Sequence, residues 1–307
     1  MSLLVIGTLA LDTIETPFGI AENTFGGSAA FISVSASYFT NDIRLVGIVG
    51  NDFPDKELEF LKSKKIDTSG VEVSKSEKTF HWHGKYHFDM NERDTLVTDL
   101  NALAVFDPDI SEKYQDSEYI CLGNMDPLIQ TKIIKQLKKP KLVMCDTMNY
   151  WIESKPEELK ETLKLVDLIV VNDSEARQLT NEYNLISASK KIREMGPKYV
   201  IIKKGEHGAY LFTNDSMFAA PAFPLEQVFD PTGAGDTFAG GLMGWLTKTN
   251  DFSDDNMKLA VIYGSAMASL CVEEFALEGI RNLSKEKIKN RFKDFRDLTN
   301  FKEIHLD

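Results

Sequence analysis

Apolar runs rich in β-branched residues alternate with helix-like segments along most of this chain, and that rhythm restricts the folds open to it. LLVIGTLA near the start is followed by GGSAAFISVSASYF, and RLVGIVG by PDKELEFLKSKK. Later KLVMCD precedes KPEELKETLKLV, DLIVVN precedes DSEARQLT, and KYVIIKKG follows SASKKIREMG. Strands alternating with helices imply βαβ units and a mostly parallel sheet, whose buried strands read as continuous apolar runs. The stretches 235–248, 254–272 and 284–297 are expected to be helical, and Pro54 suits a first helical turn.

Residues 71–100 break this rhythm. VEVSKSEKTFHWHGKYHFDMNERDTLVTDL alternates with period two and carries many polar side chains, as antiparallel strands covering something would. A small β flap inserted in an α/β body follows. Within it His81, His83 and His87 alternate with Trp82, Tyr86 and Phe88, which gives one wet and one aromatic face. No cysteine or carboxylate pattern there supports a zinc site.

With 307 residues and 43% hydrophobic content, the chain can bury one large core. Its formal charge of −12 disfavours nucleic acid and anionic membrane as partners. No apolar run approaches the ~20 residues needed to span a bilayer. The N-terminus lacks the pattern of a signal peptide, and Cys121, Cys145 and Cys271 sit unclustered in apolar segments. A cytoplasmic protein with reduced thiols is expected.

The chemistry concentrates in VFDPTGAGDTFAGG, Val228 to Gly241. Asp230-Pro231 would turn the chain, and Gly233, Ala234 and Gly235 would form a flexible loop before a helix starting near Asp236. Free amides at a helix start make an anion site without any lysine. A carboxylate at such a site would repel the anion, unless the amides serve an electrophile and Asp236 its nucleophile. A hydroxyl attacking a phosphoryl group needs such a base, and the transferred group needs such donors. The alternative on these residues alone is a tight turn with Asp236 as an N-cap. No GxxxxGK[ST] loop and no GxGxxG after the first strand are present, which disfavours P-loop enzymes and dehydrogenases.

DPTGAGDTFAGG resembles the C-terminal signature of the ribokinase-like (PfkB) carbohydrate kinases, and Gly26-Gly27 in FGGSAAF stands where that family has its N-terminal Gly-Gly pair. The resemblance covers essentially the whole chain. It implies a three-layer α/β/α ribokinase-like fold with a mostly parallel central sheet. Residues 1–307 would form one kinase domain, with a β-sheet lid made from about 12–26 and 71–101. It implies ATP-dependent phosphorylation of a hydroxyl on a small sugar or polyol, with Asp236 as base and Gly233 to Gly235 as anion hole.

The same resemblance places NDSE, Asn172 to Glu175, at Mg²⁺ and the phosphates, mostly through water, which suits an ion that keeps its waters. It places Lys203, Gly205 and Gly208 of KKGEHGAY, with Thr232, on the nucleotide side. An ordinary hairpin turn is the alternative for that loop. Asp12, Gly26, Gly27, Ser28 and Phe31 fall on the substrate side, and Arg93 could pair with an acidic or phosphorylated substrate. EEFALEG, Glu273 to Gly279, falls where family members bind a monovalent cation such as K⁺.

Two departures matter for the substrate. Phe31 stands where many members carry a sugar-binding Asn, and DTMNYW lacks the arginine of the usual DxNxR. A nucleoside or cyclitol kinase therefore stands as the alternative on the same fold, and a non-catalytic nucleotide-binding regulator as the alternative of another class. An exposed lid edge would favour a homodimer.

Overall fold

The computed structural model describes residues 1–214 and 216–300. In chain order its strands are β1 (Leu3–Ile6), β2 (Ala10–Thr16), β3 (Gly19–Gly26), β4 (Ile43–Val49), β5 (Ile66–Val73), β6 (Phe80–Tyr86) and β7 (Arg93–Asp99). They continue as β8 (Tyr119–Leu122), β9 (Leu142–Asp146), β10 (Leu168–Asn172), β11 (Tyr199–Lys203), β12 (Ala209–Phe212) and β13 (Met217–Ala220). Nine of them form one sheet in the order β13-β12-β11-β10-β9-β8-β1-β4-β5. Pairing is parallel from β11 through to β5, and β12 and β13 add antiparallel at one end.

The strands are apolar on both faces because both faces are covered. Leu3 and Val5 join one buried cluster, while Leu4 and Ile6, pointing the other way, join another. The first cluster includes Ala29, Leu242, Met257 and Ile288, from helices Ser28–Ala36, Ala234–Thr249, Asp254–Cys271 and Lys285–Thr299. The second includes Ile133, Leu159, Ala176 and Ile192, from helices Pro127–Gln136, Pro156–Leu163, Asp173–Thr180 and Leu185–Glu194. The result is a three-layer α/β/α body.

Small residues let two helices of the first layer approach closely. A β-carbon on Gly240 would collide with the Ile32 carbonyl, one on Gly244 would lie 2.9 Å from the Ala36 Cα, and Ser35 Oγ donates to the Thr237 carbonyl at 2.7 Å. This contact fixes the helix that begins in the glycine-rich loop.

A second sheet has the order β3-β2-β6-β7. It is mixed: β2 and β6 run parallel, flanked by antiparallel partners. Residues 71–73 end β5 in the large sheet, so the small sheet resumes only at Phe80. Its inner face carries Ile14, Trp82 and Tyr86, which pack with Phe275 and Ala276 of the body.

From β1 the chain moves outward to β4 and β5, then returns to β8 on the other side of β1. This reversal opens a crevice at the carboxyl ends of the parallel strands, where open α/β sheets bind ligands.

Candidate active site

Three neighbouring strands deliver polar side chains to that edge. β9 ends in Asp146, β10 in Asn172 and β11 in Lys203, with Asn172 and Lys203 in register. Asp146 Oδ1 accepts the Thr147 amide at 2.8 Å, and Oδ2 lies 3.6 Å from Lys203 Nζ. Asn172 caps the helix Asp173–Thr180 through a reciprocal pair: Glu175 N donates to Asn172 Oδ1 at 2.8 Å and Asn172 N to Glu175 Oε2 at 2.7 Å. Both residues thus have a structural task that leaves Glu175 Oε1 without a hydrogen-bond partner among the described residues.

The helix of the glycine-rich loop starts at Ala234, two residues earlier than the sequence suggested. Gly233 is its N-cap with φ 73°, a left-handed conformation that favours glycine. This lets the Ala234 amide close a turn onto the Pro231 carbonyl at 3.1 Å, so Ala234 is not a free donor here. The amides of Gly233, Gly235 and Asp236 have no partner among the described residues. Lys203 comes up against the same helix start: a β-carbon on Gly235 would stand 2.7 Å from its ammonium.

Asp146, Glu175 and Asp236 thus share one buried ammonium. Burial pushes the Asp236 carboxyl up to about 7, reinforced by Asp146 and opposed by Lys203 and Arg93. Burial also raises Glu175 and Asp146, with Lys203 opposing. Lys203 itself is raised, because the three carboxylates outweigh its desolvation.

Across the crevice Asp12 projects from the bulged part of β2 and is 4% exposed. Its Oδ1 is buried without a hydrogen-bond partner among the described residues. Burial raises its pKa to about 8, helped by Asp230 and Asp236, while the Gly27 and Trp82 amides oppose. A β-carbon on Gly26 would collide with Asp12 Oδ2, and one on Gly27, at φ 90°, with the Thr8 carbonyl.

Two sequence candidates on this side have internal partners. Ser28 and Thr8 exchange hydrogen bonds, Ser28 N to Thr8 Oγ1 at 2.9 Å and Thr8 N to Ser28 Oγ at 3.1 Å, which ties β1 to the first helix. Phe31 is 1% exposed, and its ring lies beneath Gly233, where any β-carbon would strike it. It supports the glycine-rich loop from below.

The small sheet closes the acceptor side. Trp82 lies beside Asp12 in register, with its ring over Gly84. The Arg93 guanidinium sits 5.8 Å from the Trp82 ring centre and has no ion pair among the described residues. Its charge lowers the pKa values of Asp236 and Glu175 from above. Thr232 Oγ1 donates to the Tyr86 hydroxyl at 3.2 Å. At the hairpin tip Asn91 packs on Gly205, whose φ is 53°, so the sheet also reaches the loop after β11. That loop is a short 3₁₀ turn joining antiparallel β11 and β12, and Gly208, at φ 86°, continues it.

The flap histidines pair locally: His81 with the Leu11 carbonyl, His83 with Glu15 at 3.0 Å and His87 with Asp94 at 2.7 Å. Asp230 braces the loop 273–279, accepting the Thr232 amide at 2.8 Å and the Ala276 amide at 2.7 Å.

A family model described as pfkB family carbohydrate kinase matches residues 15–279. The chain belongs to that family. It is therefore a kinase that transfers a phosphoryl group to an alcohol acceptor. Among its relatives is a cytidine kinase of Thermococcus kodakarensis, 31% identical over 79% of this chain and 87% of that one. The crystal structure of a Methanocaldococcus jannaschii nucleoside kinase superposes with a TM-score of 0.77 at 22% identity, over 96% of this pfkB-family chain and 99% of that one. An aminoimidazole riboside kinase of Salmonella enterica, solved with aminoimidazole riboside and an ATP analogue, gives 0.77 at 19% identity, over 95% and 100%.

Sequence reasoning met Asp146 only as the first residue of the altered DxNxR motif in DTMNYW, and Trp82 and Tyr86 only as part of the flap's aromatic face, and gave none of them a role. Asp146 left one signal: a lone acid that ends the apolar run KLVMC.

Proposed function

We propose that this kinase transfers the γ-phosphoryl group of ATP to a hydroxyl of a small carbohydrate, with Asp236 as the general base. The observation that carries this reading is a carboxylate raised to about 7 at a helix start whose Gly235 and Asp236 amides are free. The acceptor oxygen forms a bond to the γ-phosphorus as the bond to the ADP bridging oxygen breaks, and the hydroxyl proton passes to Asp236. Gly233, Gly235 and Asp236 supply amides to the transferred group, and the orphaned Asp12 Oδ1 receives acceptor hydroxyls beside Gly26 and Gly27. Lys203, Gly205, Gly208 and Thr232 border the ATP side. Arg93 adds positive charge from the lid.

The oxygen donors of Glu175, Asn172 and Asp146, at neighbouring strand ends, fit Mg²⁺ held through water, an ion that prefers oxygen and keeps several waters. Such an ion would neutralise phosphate charge. The 273–279 loop braced by Asp230 is our candidate for a K⁺ site.

A second reading, favoured by Trp82 beside Asp12, is that the carbohydrate is the ribose of a nucleoside, with the base against the indole. The relatives named as cytidine and nucleoside kinases support it. We further propose a cytoplasmic enzyme that needs no nucleic-acid or membrane partner. β7 is exposed along its length with Leu96 and Val97 outward, which supports a homodimer through the small sheet.

The test is ADP release from Mg·ATP across sugars, sugar phosphates, cyclitols and nucleosides. A strong signal with nucleosides alone favours the second reading, and one with free sugars the first. Absence of turnover on every acceptor, with ATP still bound, contradicts both and leaves the regulator.

A further inference from the structure

We infer that Lys203 contacts the phosphoryl group during its transfer and that Asp146 is the residue that positions it. This rests on the kinase reading above and adds a cation to the amides at the helix start. The position of the ammonium carries the argument. Nζ occupies the space that Gly235 leaves by having no side chain, 2.7 Å from where a β-carbon would stand. It therefore lies beside the helix start whose Gly235 and Asp236 amides have no partner among the described residues.

The hydrogen-bonding state of the ammonium points the same way. Asp146 Oδ2, at 3.6 Å, is its one ion-pair partner among the described residues, and a charge-assisted bond would be nearer 2.8 Å. A lysine carries three donors, and Asp146 can take only part of them. Phosphate oxygens would complete the set, while Asp146, fixed by the Thr147 amide at 2.8 Å, keeps the ammonium at Gly235. Lys203 keeps its proton throughout. It balances charge on the non-bridging oxygens while the bond to the acceptor oxygen forms and that to ADP breaks.

The experiment compares ATP and ADP affinities, measured calorimetrically with Mg²⁺ and no acceptor, alongside kcat and KM with the best acceptor. Lys203→Met should lose about tenfold or more in ATP affinity but under about threefold for ADP, and kcat should fall by about 10²-fold. Asp146→Asn should lower kcat about tenfold and reduce the preference for ATP over ADP several-fold, since the ammonium is no longer held at Gly235. Lys203→Arg, which keeps the charge, should recover part of the ATP preference, and it carries the test if the methionine variant does not fold. Equal losses for ATP and ADP, or kcat of a folded Lys203→Met within threefold of wild type, would overturn the assignment. A wild type that prefers ATP over ADP yet phosphorylates nothing sinks the kinase reading alone. One that binds no ATP overturns both.

Discussion

The hydroxyl of Thr232 donates to that of Tyr86 across 3.2 Å, tying the small sheet to the loop that carries Asp236. Tyr86 is 7% exposed, and burial pushes its phenol up to about 12, so it stays a neutral partner. Tyr86→Phe deletes the acceptor without opening a cavity. We expect about 1 kcal/mol lost in stability and a several-fold fall in kcat/KM, with ATP affinity unchanged in calorimetry. Unaltered turnover would show that the bond does not register the two parts of the site.

Gly26→Ala tests the acceptor side. The added methyl would meet Asp12 Oδ2 and drive the carboxylate from its place. KM for the acceptor should rise about tenfold or more, with the ATP dissociation constant within twofold, because only ground-state acceptor binding is removed. Steady-state kinetics with each substrate varied separates the two.

Asp12 also predicts a pH dependence of stability. Its folded pKa, about 8, lies above the unfolded value of 3.8, so folding takes up a proton between them. The sign follows: the contribution is fully present below pH 4 and is lost as pH rises toward 8. Asp12→Asn removes the titration, so the variant should gain on wild type by up to about 1.4 kcal/mol per pH unit across that window. Thermal unfolding at several pH values measures it. Parallel curves would mean that Asp12 is not held in a raised state.

Replacing K⁺ by a bulky organic cation should lower turnover several-fold if the loop braced by Asp230 holds a monovalent ion. Asp230→Ala, which frees the Thr232 and Ala276 amides, should remove that dependence. Cation-independent activity in wild type would remove the K⁺ assignment.

The α/β body was legible because buried parallel strands must be continuously apolar, and RLVGIVG, DLIVVN and KYVIIKKG are. The helix boundaries were less so. Gly233 takes a left-handed cap that starts the helix at Ala234, and Pro54 is the N-cap of Asp55–Ser63 rather than part of its first turn. Contacts between distant residues escaped altogether. Asp146 meets Lys203 only because β9, β10 and β11 lie side by side, and Tyr86 meets Thr232 only because the small sheet folds over the crevice. The family resemblance put Phe31 and Ser28 on the substrate side, Phe31 where many members carry a sugar-binding Asn. Helical geometry turns one beneath Gly233 and the other toward Thr8.

The central claim is that Asp236 is the base, and the most direct measurement is ADP release by Asp236→Asn beside wild type, followed from pH 5 to 9. Wild-type kcat/KM should rise with pH and level off above about 7, where burial places the Asp236 titration. The variant should fall by about 10²- to 10⁴-fold at every pH while still binding ATP. Turnover by a folded Asp236→Asn within tenfold of wild type, with the same pH profile, would contradict the account.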